Sequence, residues 1–507
     1  MRKLIYKELT QNPGVTPVDQ IPELDYKEFC IQTVELLGKE SYHCLNYFNF
    51  NYRNHIKFLI IIGNDDSHKI YVYSHIQKPD IISLDSITRD CFQLHIFERE
   101  ISERTGIHFK GHPWLKPVRY PCNRKNMDTG IPDYPFYTIE SEETHEVGVG
   151  PVHAGIIEPG HFRFQCYGEK VLHLEIQLGY QHRGVEPLFL TKETIAERSI
   201  LAENIAGDTA IGHTLAFAQL AESFAATEVS ENLEADRIIA LELERIAVHI
   251  GDTAALCGDV AYQLGQVACE ALRTLVINTM QEWCGNRFGK GLIRPGGTHY
   301  PLNRELRLLI IKRLEEVNRR FTEVTQMIYN DSGVVARFEN TGTVSSKQAF
   351  LAGAVGMAAR ASGICRDIRR SHPFQSYRRF DYKPAHLHQG DVFARAFLRK
   401  MEVEQSCSVI NELVAAYKQP ADNQLTKPDY SMKFIPDLLC VSLTEAWRGE
   451  VCHAAVSGED GKLIAYKIKD PSLHNWHLLA LAVREQEISD FPVCNKSFNL
   501  SYCGNDL

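Results

Sequence analysis

The chain lacks several marks that would assign it at once. None of its 14 cysteines stands in a C-x-x-C pair, and they are scattered from Cys30 to Cys503. A disulfide framework belongs to small secreted domains, so reduced and mostly buried thiols are expected. No basic-then-apolar segment opens the sequence, and no apolar run approaches the roughly 18 to 20 residues needed to cross a bilayer. A soluble, cytoplasmic chain is therefore predicted. There is no G-x-G-x-x-G and no P-loop signature, so any link to NAD would act through partners. Positive charge is not in excess either: 55 Lys and Arg against 64 Asp and Glu give a formal charge of -9, which offers no general attraction to nucleic acid or to an anionic membrane surface. Internal repeats and low-complexity tracts are also missing.

What is present is size and pattern. With 507 residues, 44% of them hydrophobic, the chain can bury a large core and exceeds the usual length of one domain. Phe58–Gly63 and Lys69–His75 read as paired strands across the turn-forming Asn64-Asp-Asp-Ser67. Cys91 to Arg104 has helical spacing, with Glu98, Arg99 and Glu100 placed outward. These elements predict an α+β domain over residues 1–120. A stretch rich in Pro, Asn, Asp, Gly, Ser and Glu follows and reads as a linker over 121–146. Beyond it, His161–Gln177 alternates around Gly168 as a hairpin, and helical periods run from Thr191 to Gln281, Asn303 to Tyr329 and Gly390 to Lys418. The prediction for 147–507 is a large, mainly α-helical bundle with a small β cap. Five arginines between Arg366 and Arg379 read as a solvated or salt-bridged surface.

Several blocks then recur in a characteristic order. They are Gly150-Pro-Val-His153, Glu158-Pro-Gly-His-Phe162, His182-Arg-Gly-Val-Glu186, Asn286 to Gly297, Ala361 to Arg370, Trp447-Arg-Gly-Glu450 and Pro471 to Trp476. As an ordered set they resemble group 4 energy-converting nickel-iron hydrogenase large subunits and the 49-kDa subunit of respiratory complex I. The first domain resembles the complex I 30-kDa subunit through Glu98 to Pro113 and Leu115 to Arg119. Fusion of the two parts is the arrangement of formate hydrogenlyase large subunits.

The resemblance also shows what has been lost. The family holds nickel and iron with two C-x-x-C pairs, since soft thiolates suit these metals and can bridge them. Aligned on His213, the first pair falls at Ala206 and Thr209; the second falls at Leu500 and Cys503, with Asp506 in the place of the terminal His or Arg. One thiolate of four remains, so no nickel-iron centre and no hydrogen turnover are expected. Complex I uses the same cavity for a quinone, with a histidine and a tyrosine. His153 matches the histidine loop, but the tyrosine position is Gly207.

What the resemblance implies for the cavity is a set of protonatable groups, His153, Glu158, Asp208, His213 and Asp506, with Arg294, Arg366 and Cys503 on its cofactor-binding side. Glu158, in the family's E-P motif, is the expected proton relay; the bland alternative is a salt bridge to Arg183, Arg294 or Arg366. Cys503 and His213 have bland alternatives as a buried thiol and a core histidine. Asp208 with Asp506 is a further candidate pair for a harder metal. The implied assembly has an iron-sulfur small subunit carrying a 4Fe-4S cluster, antiporter-like membrane subunits, and a ferredoxin or NADH-oxidising module as donor, on the inner face of the cell membrane. Two other readings stand beside it: a quinone or small-acceptor oxidoreductase, and a scaffold in which Phe498, Leu500 and Tyr502 fill the cavity.

Overall fold

Pairing between distant strands joins the two ends of the chain. In the computed structural model, which describes residues 4–155, 157–418 and 427–507, β1 (Lys7–Leu9) edges a four-stranded antiparallel sheet with β3 (Tyr42–Tyr52), β4 (His55–Asn64) and β5 (Lys69–Gln77), in the order β1-β5-β4-β3. The strand between them, β2 (Gly14–Pro17), leaves that sheet and pairs antiparallel with β11 (Leu438–Ala446), Val15 facing Cys440. The turn between β4 and β5 is fixed by Asn64, whose side-chain oxygen accepts from the N–H groups of Asp66 and Ser67, both at 3.1 Å. Helices α1 (Tyr26–Leu37) and α2 (His95–Thr105), with the parallel strands β6 (Ser83–Asp85) and β7 (His108–Lys110), complete the first unit.

The outward placement expected for Glu98 and Arg99 is not what is found. Glu98 is fully buried. It accepts from the Ile87 N–H at 2.8 Å, Ser86 Oγ at 2.5 Å and Thr88 Oγ1 at 2.7 Å, so α2 uses this carboxylate to hold the 86–88 turn. A carboxylate can be buried when its lone pairs are filled this way.

Next come β8 (His145–Val149), β9 (His161–Tyr167) and β10 (Lys170–Gln177), a three-stranded antiparallel sheet. The helical body contains α3 (Val185–Thr191), α4 (Ile195–Ala202), α5 (Ala210–Phe224), α6 (Glu231–Asp259), α7 (Gln263–Cys284) and α8 (Arg304–Asn330), then the short α9 (Ser332–Phe338), α10 (Ser346–Ala352), α11 (Gly356–Ala361) and α12 (Ile368–Ser371), and the long α13 (Val392–Ala415). α6 packs against both α7 and α13. α8 buries Ile310, Leu314, Val317, Phe321, Val324 and Ile328, the three-and-four spacing of a helix with one apolar face.

A second four-stranded sheet, β13 (Leu463–Lys469), β12 (Gly449–Ser457), β11 and β2, lies inside the body. It is additional to the small β cap expected from the sequence. Every residue of β12 is buried, so the strand has no polar alternation to mark it, and a short apolar run does not distinguish strand from buried helix. The chain then runs through α14 (Ser472–Ala482), α15 (Phe491–Phe498) and α16 (Tyr502–Asn505).

Charge is buried in this core too. Arg360, fully buried, reaches Glu445 at 2.7 Å, Glu402 at 2.6 Å and Asp367 at 3.3 Å. Four of the five clustered arginines are engaged: Arg366 with Asp65, Arg369 with Asp367, Arg378 with the Asn12 carbonyl and Arg379 with Glu231.

Candidate functional site

The C-terminal turn, the loop before α5 and the segment before β9 converge. Thr209 precedes α5, and Ser501 caps α16 by accepting from the Gly504 N–H at 2.9 Å. Glu158 accepts from the Tyr502 N–H at 3.2 Å and lies against the Cys503 sulfur, toward which the Gly207 N–H is also directed. Burial, with Glu158 beside it, pushes the Cys503 thiol up to about 12, so this sulfur is a protonated thiol near neutral pH. None of Arg183, Arg294 and Arg366 pairs with Glu158: Arg183 donates to the carbonyls of Asn204 and Ile205, Arg294 pairs with Glu203 at 2.5 Å, and Arg366 pairs with Asp65 at 2.9 Å.

Asp208 meets Arg448 on two points, Nη1 to Oδ1 at 2.6 Å and Nη2 to Oδ2 at 2.7 Å. Arg448 also donates to Thr209 Oγ1 at 3.0 Å and to the Asn499 carbonyl at 2.6 Å. One cation thus ties the loop before α5 to the C-terminal segment after α15. The Asp208 side chain is 41% exposed and that of Arg448 4%. Gly207 is exposed, and nothing lies within 4 Å of where a side chain there would begin, so the site stays open on this side. On the other side Phe498, Leu500 and Tyr502 are each 5% exposed and belong to the main apolar core.

His213, fully buried on α5, is the centre of a chain of contacts. Its Nε2 lies 3.1 Å from Asp470 Oδ2 and its Nδ1 3.1 Å from His453 Nε2, while His453 Nδ1 lies 2.7 Å from Tyr466 Oη. Burial, then the neighbouring His213, push His453 well below the usual histidine range. Against the cost of burial, the hydrogen bond and charge of His213, with Arg448 beyond, hold Asp470 below its ordinary value. With His213 neutral, one proton per contact requires Tyr466 to donate to His453, His453 to His213, and His213 to Asp470.

The remaining candidates lie elsewhere. His153 donates from Nε2 to the Gly160 carbonyl at 2.8 Å and packs on Phe162, closing its own loop. Asp506, fully buried, accepts from the N–H groups of Gly179 at 2.8 Å and Gln181 at 3.0 Å. Asp208 and Asp506 therefore serve different partners and make no metal pair, and among the described residues no group of three or more His, Cys, Asp or Glu side chains is assembled to hold an ion. Arg294 and Arg366, expected at the cofactor side, are committed to Glu203 and Asp65 as described. Missed from the sequence were Arg448, Asp470, His453 and Tyr466. Arg448 sits in a recognised motif block, and Asp470 directly precedes the Pro471 block; those positions were the available signals.

In fold and in the order of its motifs the chain is similar to large subunits of the hydrogenase and complex I type. Residues 259–506 match the family described as respiratory-chain NADH dehydrogenase, 49 Kd subunit. The chain is 26% identical over 427 residues to hydrogenase-4 component G of Escherichia coli, covering 81% of this chain and 73% of that one. It is 28% identical over 357 residues to the carbon monoxide-induced hydrogenase of Rhodospirillum rubrum, covering 70% and 97%. The fold superimposes on a chain of the membrane-bound sulfane sulfur reductase, an archaeal respiratory membrane complex, with a TM-score of 0.67 at 21% identity, over 73% of this chain and all of that one. The resemblance to hydrogenase large subunits and complex I 49-kDa subunits read from the ordered motifs is thus shown. No helix among the described residues is long and apolar enough to cross a membrane.

Proposed function

We propose that the chain is the large subunit of a membrane-associated, hydrogenase-related complex that couples electron transfer from an iron-sulfur partner to ion translocation without a nickel-iron centre. The observation that carries this reading is the Arg448–Asp208 ion pair beside the former metal-ligand positions. Of the four residues that match those positions, Ala206, Thr209, Leu500 and Cys503, one has sulfur. A nickel-iron pair needs bridging thiolates, so the residues present do not fit it.

What the site offers is protonatable groups in contact: Glu158 against Cys503, and Asp470, His213, His453 and Tyr466 in series. In this reading a partner subunit carrying a 4Fe-4S cluster delivers electrons nearby, from a ferredoxin or an NADH-oxidising module. The charge change moves protons through these groups, and antiporter-like membrane subunits respond. The chain itself sits peripherally on the inner face of the cell membrane. A quinone has less support, since the family's tyrosine position is Gly207 and supplies no phenol.

The test is Glu158→Gln in the complete complex reconstituted into vesicles. Assembly should be retained while ion translocation falls at least tenfold. Unchanged translocation would favour the second reading, a non-catalytic scaffold, which the burial of Phe498, Leu500 and Tyr502 supports. Equimolar nickel in the purified complex would overturn both.

A further inference from the structure

A cavity of about 650 Å³ lies between α2, the segment after β7, strand β10 and α14, with Asn505 of the C-terminal turn on its wall. Its size falls in the range of small-molecule pockets, roughly 300 to 1,000 Å³. One wall is a column of flat rings: His95 stacks on Phe92 at 4.6 Å and on Trp114 at 5.4 Å, and His477 meets all three at 4.8 to 5.8 Å. His95 is 2% exposed, and neither of its ring nitrogens has a hydrogen-bond partner.

The charge around this cavity does not balance. Glu175 is the one acidic residue among its lining residues, and its oxygens are taken by Lys116 at 2.5 Å, the Tyr137 N–H at 2.7 Å, and Trp114 and Tyr134 at 3.2 Å each. Lys116 and Glu175 cancel. Arg99 is left, 5% exposed and lying over the Trp114 ring at 4.2 Å. It donates to the carbonyls of Lys116 at 2.8 Å and Pro117 at 2.9 Å, and among the described residues no carboxylate lies within 4 Å of it. Glu103, the next acid, already accepts from the N–H groups of Val118, Arg119 and Tyr120. A second cation, Arg484, stands exposed at the cavity with His173 at 3.1 Å. Buried charges in proteins are normally paired; Arg99 feels Tyr134, Glu103 and Glu175 nearby but makes no contact ion pair among the described residues, so the cavity wall keeps net positive charge.

We propose that this cavity binds a planar aromatic anion, its ring lying along the Phe92, His95 and Trp114 column and its carboxylate, sulfonate or phosphate group facing Arg99 and Arg484. Neither Glu158 nor His213 lines this cavity, and the proposal does not rest on the function proposed for them.

The experiment compares two dyes of one skeleton on the full chain by fluorescence titration: 8-anilinonaphthalene-1-sulfonate, an aromatic anion, and neutral N-phenyl-1-naphthylamine. The anion should bind saturably, one per chain, and at least tenfold tighter than the neutral dye. Arg484→Gln, at an exposed position, should weaken the anion at least threefold and leave the neutral dye unchanged. Ala480→Phe and Leu172→Trp fill the cavity from different walls, and whichever retains the parent's urea midpoint should lose anion binding at least tenfold. Equal binding of the two dyes, indifference to Arg484→Gln, or anion binding within twofold of the parent in a folded cavity-filling variant would each overturn the proposal.

Discussion

Arg448 grips Asp208 with both terminal nitrogens, at 2.6 and 2.7 Å, while its Nε holds the Asn499 carbonyl at 2.6 Å. The pair is asymmetric in burial: the arginine is almost wholly enclosed, stacked on Trp447 at 4.0 Å, and the aspartate is half in solvent. Removing the aspartate therefore strands a buried cation. Arg448→Lys keeps the charge but loses the planar fork and two of its contacts. Both Asp208→Asn and Arg448→Lys should cost about 1–3 kcal/mol in urea unfolding, well above an exposed pair. A loss below a few tenths of a kcal/mol in both would show that the contact does not organise the C-terminal turn.

Cys503 should be chemically silent. Its thiol is pushed up to about 12, chiefly by burial, and alkylation proceeds through the thiolate. Cys122 and Cys365 are the exposed cysteines. Brief iodoacetamide treatment of the native protein near neutral pH, read by peptide mass spectrometry, should label Cys122 and leave Cys503 unmodified. Labelling of Cys503 at a comparable rate would mean that the sulfur is an activated thiolate, which the proposed function does not allow.

The legible part of the protein was the part encoded locally. Gly168 turning β9 into β10 and the apolar stripe of α8 declare themselves by short-range pattern, and the ordered motif blocks marked segments that the fold brings together. Glu98 did not, because its burial depends on three donors at positions 86–88 that only the folded chain brings near. The setting of Asp506 was hidden for the same reason: two of its partners are backbone N–H groups more than 300 residues away. Arg366 pairs with Asp65 in the other unit, a contact across 301 positions that no local spacing announces.

The first unit is clasped to the body through Glu450. This carboxylate, 1% exposed, pairs with Lys469 and with His43 Nε2 at 2.6 Å, and Lys469 also donates to the Cys44 carbonyl at 2.9 Å. Against the cost of burial, Lys469 and His43 hold the Glu450 carboxyl far below its usual range. Glu450→Gln would leave Lys469 buried without its counter-ion, a loss of about 3–5 kcal/mol. The same variant should become sensitive to trypsin around 120–126, where the two units join. Wild-type urea stability together with wild-type proteolysis would show that the clasp is dispensable.

Acid should weaken the fold through its neutral histidines, and His474 gives the cleanest case. It is 1% exposed and set edge-on to Phe97 at 5.5 Å. Burial, with Lys469 adding to it, pushes the imidazole down from 6.5 to about 3. Below pH 6.5 the unfolded chain takes up a proton at this residue that the native chain refuses until near pH 3. The unfolded state thus binds more protons in that window, so stability rises with pH and is lost on acidification, by about 1.4 kcal/mol per pH unit for this one group. Above the window the contribution is complete and flat. His474→Leu removes the titration and keeps an apolar filling of similar reach. The unfolding free energy of the variant, from urea titrations between about pH 7 and pH 5, should fall with acid less steeply than that of the parent, the difference approaching one proton. Parallel slopes in the two proteins would show that His474 is protonated in the native state, and the enclosed, uncharged setting described for it would then be wrong.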